Sequence, residues 1–191
     1  MATVSGYTDE VNVQILVALM KHHGIRKVVA SPGTTNITFL HLCNMILSLR
    51  FILLRMNVSA AYIACGMAAE SGEPVALTCT GATASRNYLP GLTEAYYRKL
   101  PVLAVTSSQP LGRIGNMSPQ MLDRTSEQND VCKFSLQCLP VDNPDDRWLC
   151  EANLNRALLE LIHDGGGPVH INLVTRYSDT LVSASCFCTF C

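Results

Sequence analysis

Three stretches of this chain gather residue types that handle small polar ligands. Ser31-Pro32-Gly33-Thr34-Thr35-Asn36 sets hydroxyls, a glycine and an amide between an apolar run and a helical segment, so its backbone amides could face an anionic or polar group at a helix start. The same residues are also ordinary turn formers. Thr80-Gly81-Ala82-Thr83-Ala84-Ser85 repeats the arrangement with smaller side chains, suited to close approach by a flat ring or a phosphate. It has neither the lysine of a Walker loop nor the spacing of a dinucleotide fingerprint. Gly165-Gly166-Gly167 precedes a strand rather than a helix, so it reads as a turn.

Other reactive residues form no evident constellation. His22 and His23 sit at a helix end, His41 and His163 are isolated, and His170 lies in an apolar strand context, with no metal-binding spacing among them. Cys186, Cys188 and Cys191 could supply three thiolates, but a closed zinc site wants a fourth ligand. No Ser, Cys or Lys stands in a nucleophile motif. Asp9, Glu10, Glu70, Glu94, Glu151 and Glu160 read as solvated faces or helix-end charges.

The elements that position these loops follow from composition and pattern. The chain has 191 residues, 48% of them apolar and 15% charged, with 14 basic against 15 acidic residues for a net charge of −1. That is enough for one domain with a substantial core. Without a basic cluster, nucleic acid and an anionic membrane surface are excluded as partners, leaving small molecules or protein. The first ten residues have no basic or apolar leader region, so the expected location is the cytoplasm. Val28 to Leu49 lacks charge, but Ser31, Pro32, Gly33, Asn36 and Asn44 argue against a membrane span. Cys43, Cys65, Cys79, Cys132, Cys138 and Cys150 stand in apolar context and read as reduced, small core residues.

Short apolar runs alternate with helical segments. Lys27–Ala30, Phe51–Leu54, Val75–Cys79, Val102–Thr106, Cys132–Gln137 and Val169–Leu173 are predicted strands, continuous enough for a parallel sheet covered on both faces. Thr8 is expected to cap a helix through Met20, and Gly24 to stop it. Ser59 is expected to cap Ala60 to Glu70, with Gly72 after it; Ser85 to Arg98 is the next helix. Asp145 or Asp146 is expected to cap the last, which runs through Trp148, Leu154, Leu158, Leu161 and Ile162. The predicted class is α/β: a doubly wound, mostly parallel six-stranded sheet with helices on both faces. In such folds ligands bind at the carboxyl ends of the strands.

Taken in order, these loops resemble a known family. Ser31-Pro32-Gly33-Thr34-Thr35-Asn36, Ser59 through Ala68, Gly72 through Thr83, Asn87-Tyr88-Leu89-Pro90-Gly91-Leu92-Thr93-Glu94-Ala95 and Leu100 through Thr106 are similar to the N-terminal pyrimidine-binding domain of thiamine diphosphate-dependent enzymes. That family includes pyruvate decarboxylase, acetolactate synthase and the menaquinone-pathway carboligase. The resemblance covers about residues 8 to 176, so residues 1–177 are taken as the domain and 178–191 as an unmatched Cys-rich tail.

The resemblance implies binding of the pyrimidine end of thiamine diphosphate, with Ser31, Pro32, Gly33, Thr80, Gly81, Ala82, Thr83 and Asn87 at the cofactor. Gly112 to Asp123 is similar to the family's active-site loop, which makes Gln120 a candidate on the substrate side, with Asp123 nearby; capping roles are the alternative for both. In the family a glutamate after the second strand hydrogen-bonds the pyrimidine. Counting back from Ala60-Ala61 puts Asn57 there, and neither Met56 nor Val58 is acidic. An amide can hydrogen-bond the ring but cannot shuttle its proton. The stretch from Leu40 to Val58 also diverges from the family.

No Gly-Asp-Gly start of a diphosphate-binding domain occurs here, so Mg2+ and the diphosphate are expected on a missing domain. The resemblance thus implies half of a site, completed in a homodimer or by a separate diphosphate-binding chain. The function implied is a 2-oxoacid decarboxylase or carboligase, inactive as this chain alone; the alternative is a non-catalytic relative serving subunit association.

Overall fold

In the computed structural model of the chain, residues 7–46, 50–81, 83–176 and 181–182 are described. The Cys-rich tail apart from residues 181–182, Ala82, and residues 47–49 of the divergent stretch lie outside them. All six expected strands form: β2 (Lys27–Ala30), β3 (Arg50–Leu53), β4 (Val75–Cys79), β5 (Val102–Ser108), β6 (Phe134–Cys138) and β7 (Val169–Val174). They make one wholly parallel sheet in the order β3-β2-β4-β5-β7-β6. A separate antiparallel pair joins β1 (Tyr7–Thr8) to β8 (Leu181–Val182).

Helices cover both faces, as parallel strands require. On one face α1 (Val11–His22), α2 (Ile37–Ile46) and α6 (Pro144–Leu159) bury Leu16, Met20, Phe39, Leu154 and Leu158 against Val28, Leu103 and Ile171. On the other, α3 (Asn57–Ser71) and α5 (Leu89–Tyr97) pack Ala61, Ala64 and Leu92 on Val75, Leu77 and Ala104. Small residues bring these two helices close: a Cβ on Gly91 would stand 2.5 Å from that of Ala61. Among the described residues, no helix is long and apolar enough to cross a membrane.

Helix starts depart from expectation. Thr8 does not cap α1; Glu10 takes that place, while the Thr8 hydroxyl accepts from the Glu10 amide at 3.2 Å. Nor is Glu10 a solvated charge: it is buried, and its carboxylate accepts from the Arg176 amide at 2.6 Å. α3 starts after Met56 rather than at Ser59, so Asn57 is its first residue, and Gly72 ends it with φ 68° as expected. Residues 83–98 form two elements, the single turn α4 (Thr83–Arg86) and α5. α6 is capped by Asn143, whose side chain accepts from the Asp146 amide at 2.9 Å, with Pro144 in its first turn. Asp145 and Asp146 fall inside that turn, where their charge suits the helix dipole. Trp148 and Ile162 are exposed rather than part of the buried stripe. Cys43, Cys65, Cys79, Cys132 and Cys138 are buried free thiols, and Cys150 is half-buried.

Candidate cofactor site

From β2 the chain moves outward to β3, whereas from β4 it moves the opposite way to β5. The connections after β2 and β4 therefore part, and a crevice opens at the carboxyl ends of these two neighbours. Ser31 leaves β2 by donating its amide to the Thr78 carbonyl at 2.8 Å, extending the ladder by one bond. The turn that follows is braced by buried Asn36, which accepts from the Gly33 amide at 2.9 Å and donates to the Ser31 carbonyl at 3.3 Å. Gly33 faces the β4 loop so closely that a Cβ there would overlap Thr80 Cγ2.

Gly81 is held on its other side. A Cβ would lie 2.6 Å from the Ser107 carbonyl oxygen and 3.7 Å from that of Gln120. The structure thus brings Ser31, Pro32, Gly33, Thr80, Gly81 and the backbone of Gln120 into one loop cluster. Gln120 is exposed and takes a left-handed φ of 59°. Thr83 and Asn87 bound the one-turn α4, both exposed, with the Asn87 amide donating to the Thr83 carbonyl at 3.2 Å. Ala82 lies outside the described residues. Asp123 caps no helix; its carboxylate accepts from the amide and hydroxyl of Thr125, bonds that hold its pKa below the ordinary value.

Asn57 follows the edge strand β3, beside β2. Its Oδ1 is buried without a hydrogen-bond partner, as are the hydroxyls of Thr35 and Ser107, while the Tyr88 hydroxyl lies against the Ser31 hydroxyl and the Cys79 thiol. Burial pushes the Tyr88 hydroxyl pKa far upward, so it stays protonated. A buried polar atom without a partner costs about 1–3 kcal/mol. Several such atoms at the carboxyl ends of β2, β3 and β5 suit a polar ligand that would satisfy them.

Beside this cluster is a polar network that the sequence reading missed. His170 bridges three strands, with Nε2 2.8 Å from the Thr106 hydroxyl and Nδ1 3.2 Å from the Ser135 hydroxyl and 3.3 Å from the Glu127 carboxylate. Two positions on, Asn172 donates to Gln137 and accepts from Arg124 Nη2, each at 2.6 Å. Burial, helped by the charges of Arg124 and Arg86, pushes the His170 pKa down to about 3, keeping the ring neutral. Burial raises that of Glu127. The cavity among Arg124, Glu127, Thr106 and His170 is only about 10 Å3, too small for a substrate. These residues instead anchor the segment that carries Gln120 to Gly81.

Residues 12–128 match the family described as "Thiamine pyrophosphate enzyme, N-terminal TPP binding domain". The chain belongs to this family. Its similarity extends to the 2-succinyl-5-enolpyruvyl-6-hydroxy-3-cyclohexene-1-carboxylate synthases of Bacteroides thetaiotaomicron, 36% identical over 167 residues, and Phocaeicola vulgatus, 35% identical over 167 residues. Each match covers 87% of this chain and 30% of the relative. The synthase of Geobacillus thermodenitrificans is 32% identical over 157 residues, covering 80% of this chain and 26% of its own length. The chain thus spans less than a third of the length of the curated relatives it matches. The family expected from the order of the loops is the family found.

Proposed function

We propose that this chain is the pyrimidine-binding part of a thiamine diphosphate-dependent 2-oxoacid decarboxylase or carboligase, of the kind that makes 2-succinyl-5-enolpyruvyl-6-hydroxy-3-cyclohexene-1-carboxylate, and is inactive alone. The observation that carries this reading is the group of unpartnered buried polar atoms, Thr35 Oγ1, Asn57 Oδ1 and Ser107 Oγ, around the crevice after β2 and β4. They fit a flat, nitrogen-bearing ring that offers both donors and acceptors. When bound, thiamine diphosphate supplies the nucleophilic carbon for chemistry at a 2-oxoacid carbonyl.

The work left to this chain is to hold and orient. The close-packed Gly33–Thr80 and Gly81–Ser107 contacts set a rigid wall for one side of the ring. Asn57 would meet a ring nitrogen with its amide, rotating to present the end that is needed. It holds but cannot exchange a proton, so proton movement at that nitrogen would be weak or routed elsewhere. Gln120, brought to Gly81 by its backbone, stands on the substrate side. Mg2+ and the diphosphate would be held by a diphosphate-binding domain, in a second copy of the longer chain or in a separate polypeptide, in the soluble cytoplasm.

A second reading is a non-catalytic relative that keeps the fold for subunit association, favoured by the absence of a carboxylate at Asn57. Calorimetric titration of the chain with thiamine diphosphate and Mg2+ tests the half-site directly. No binding by the folded chain is the expected result; micromolar binding would show a complete site in this chain and overturn the reading. With a diphosphate-domain partner added, recovery of 2-oxoacid decarboxylation by Asn57→Glu supports the catalytic reading, and association without turnover supports the second.

A further inference from the structure

Cys138 closes β6 and Cys150 lies in the second turn of α6, which packs over that strand. Their sulfurs are 3.9 Å apart, close enough for one thiol to donate to the other. Both line a cavity of about 560 Å3, together with Leu136, Leu149 and Asn153. Cys138 is buried and Cys150 half-buried, so Cys150 is the more accessible. The other described cysteines, Cys43, Cys65, Cys79 and Cys132, are buried.

We propose that Cys138 and Cys150 are a reversible thiol–disulfide pair, oxidised by a low-molecular-weight disulfide such as glutathione disulfide that reaches them through this cavity. The Cys150 thiolate attacks one sulfur of the small disulfide, forming a mixed disulfide and releasing one thiol. The Cys138 thiolate then attacks Cys150 Sγ and expels the second. Two protein thiols are oxidised to one disulfide, and the small disulfide is reduced to two thiols. The sulfurs must close from 3.9 Å to about 2.05 Å. The order of attack agrees with the electrostatics, since the hydrogen bond between the two thiols lowers the pKa of Cys150 and, together with burial, raises that of Cys138. The new bond would fasten α6 to the edge strand directly after Gln137, the residue that braces Asn172.

The test is peptide mapping of the native chain after incubation with glutathione disulfide, quenched by alkylation before and after unfolding. A Cys138–Cys150 linkage is expected to accumulate, while Cys43, Cys65, Cys79 and Cys132 remain alkylatable on unfolding. It should disappear on addition of reduced glutathione. Cys138→Ser is expected to stop at a glutathione adduct on Cys150, and Cys150→Ser to leave Cys138 unmodified. The proposal is overturned if both thiols of the native chain survive excess glutathione disulfide, if Cys150 pairs instead with a tail cysteine, or if Cys150→Ser leaves Cys138 equally modified.

Discussion

The same strands present two different interiors. Toward α1, α2 and α6, β5 and β7 offer Leu103, Val105, Val169, Ile171 and Leu173, an apolar surface under three helices. On their opposite face, beyond the apolar Val102 and Ala104, stand Thr106, His170 and Asn172, covered by the irregular segment that holds Arg124 and Glu127. The first region is stabilised by area removed from water, which tolerates small shifts. The second holds together only while its hydrogen bonds are made, because polar groups buried without partners are costly. That makes it a register for one loop, and Gln120 is part of that loop.

The largest expected effect lies on the apolar face. Phe39→Ala should lower stability by about 4 kcal/mol in urea titration, with no change in how stability depends on pH. A comparable loss from a conservative change at Asn172 would show that the polar region matters as much to the fold and would break the contrast.

Acid should act most strongly on the polar region. His170 is neutral when folded, with its pKa pushed down to about 3, whereas an unfolded histidine takes up its proton near 6.5. Between those values the unfolded chain binds the extra proton, so stability falls as pH drops below about 6.5, by on the order of 3 kcal/mol near pH 4. Glu127 has the opposite sign: its raised pKa lets the native state take up a proton first, offsetting part of the loss. Denaturant titrations at pH 7 and pH 4.5 check this, and His170→Gln should flatten the difference between them.

At the crevice the expected effects are smaller. Gly33→Ala should cost about 2 kcal/mol through its overlap with the Thr80 methyl, and adding Thr80→Ser should recover most of it in thermal melts. If the second change recovers nothing, the close approach of the two loops is not what glycine serves there. Smallest and opposite in sign, Asn57→Ala should raise stability by about 1 kcal/mol, since it removes a buried carbonyl oxygen that has no partner. A large loss there would mean that the residue supports the fold rather than a ligand.

The sheet was legible in the sequence because a strand buried on both faces must be apolar along its length, and each predicted run overlaps an observed strand. Cap residues were less legible. Thr8, Ser59 and Asp145 each have another possible start within three residues, and the backbone angle at that position, not residue type, decides among them. The loops after β2 and β4 were found from composition and order, while the contacts joining Gly33 to Thr80 and Gly81 to Ser107 depend on strand order. The polar network was hidden by distance along the chain, since Arg124 and Asn172 are 48 positions apart. Only the alternation Val169-His170-Ile171-Asn172-Leu173 hinted that one face of β7 is polar.

The small β1–β8 ladder has a mechanical consequence. Tyr7 pairs with Val182 and Thr8 with Leu181, so tension applied between residues 7 and 182 meets the ladder at its open end. Its bonds would be loaded one pair at a time and peel at low force, whereas the six-stranded sheet is not in the path until that pair has opened. In a longer polypeptide such a clasp would act as a fuse, yielding first to a pull from its neighbours while the crevice keeps its shape.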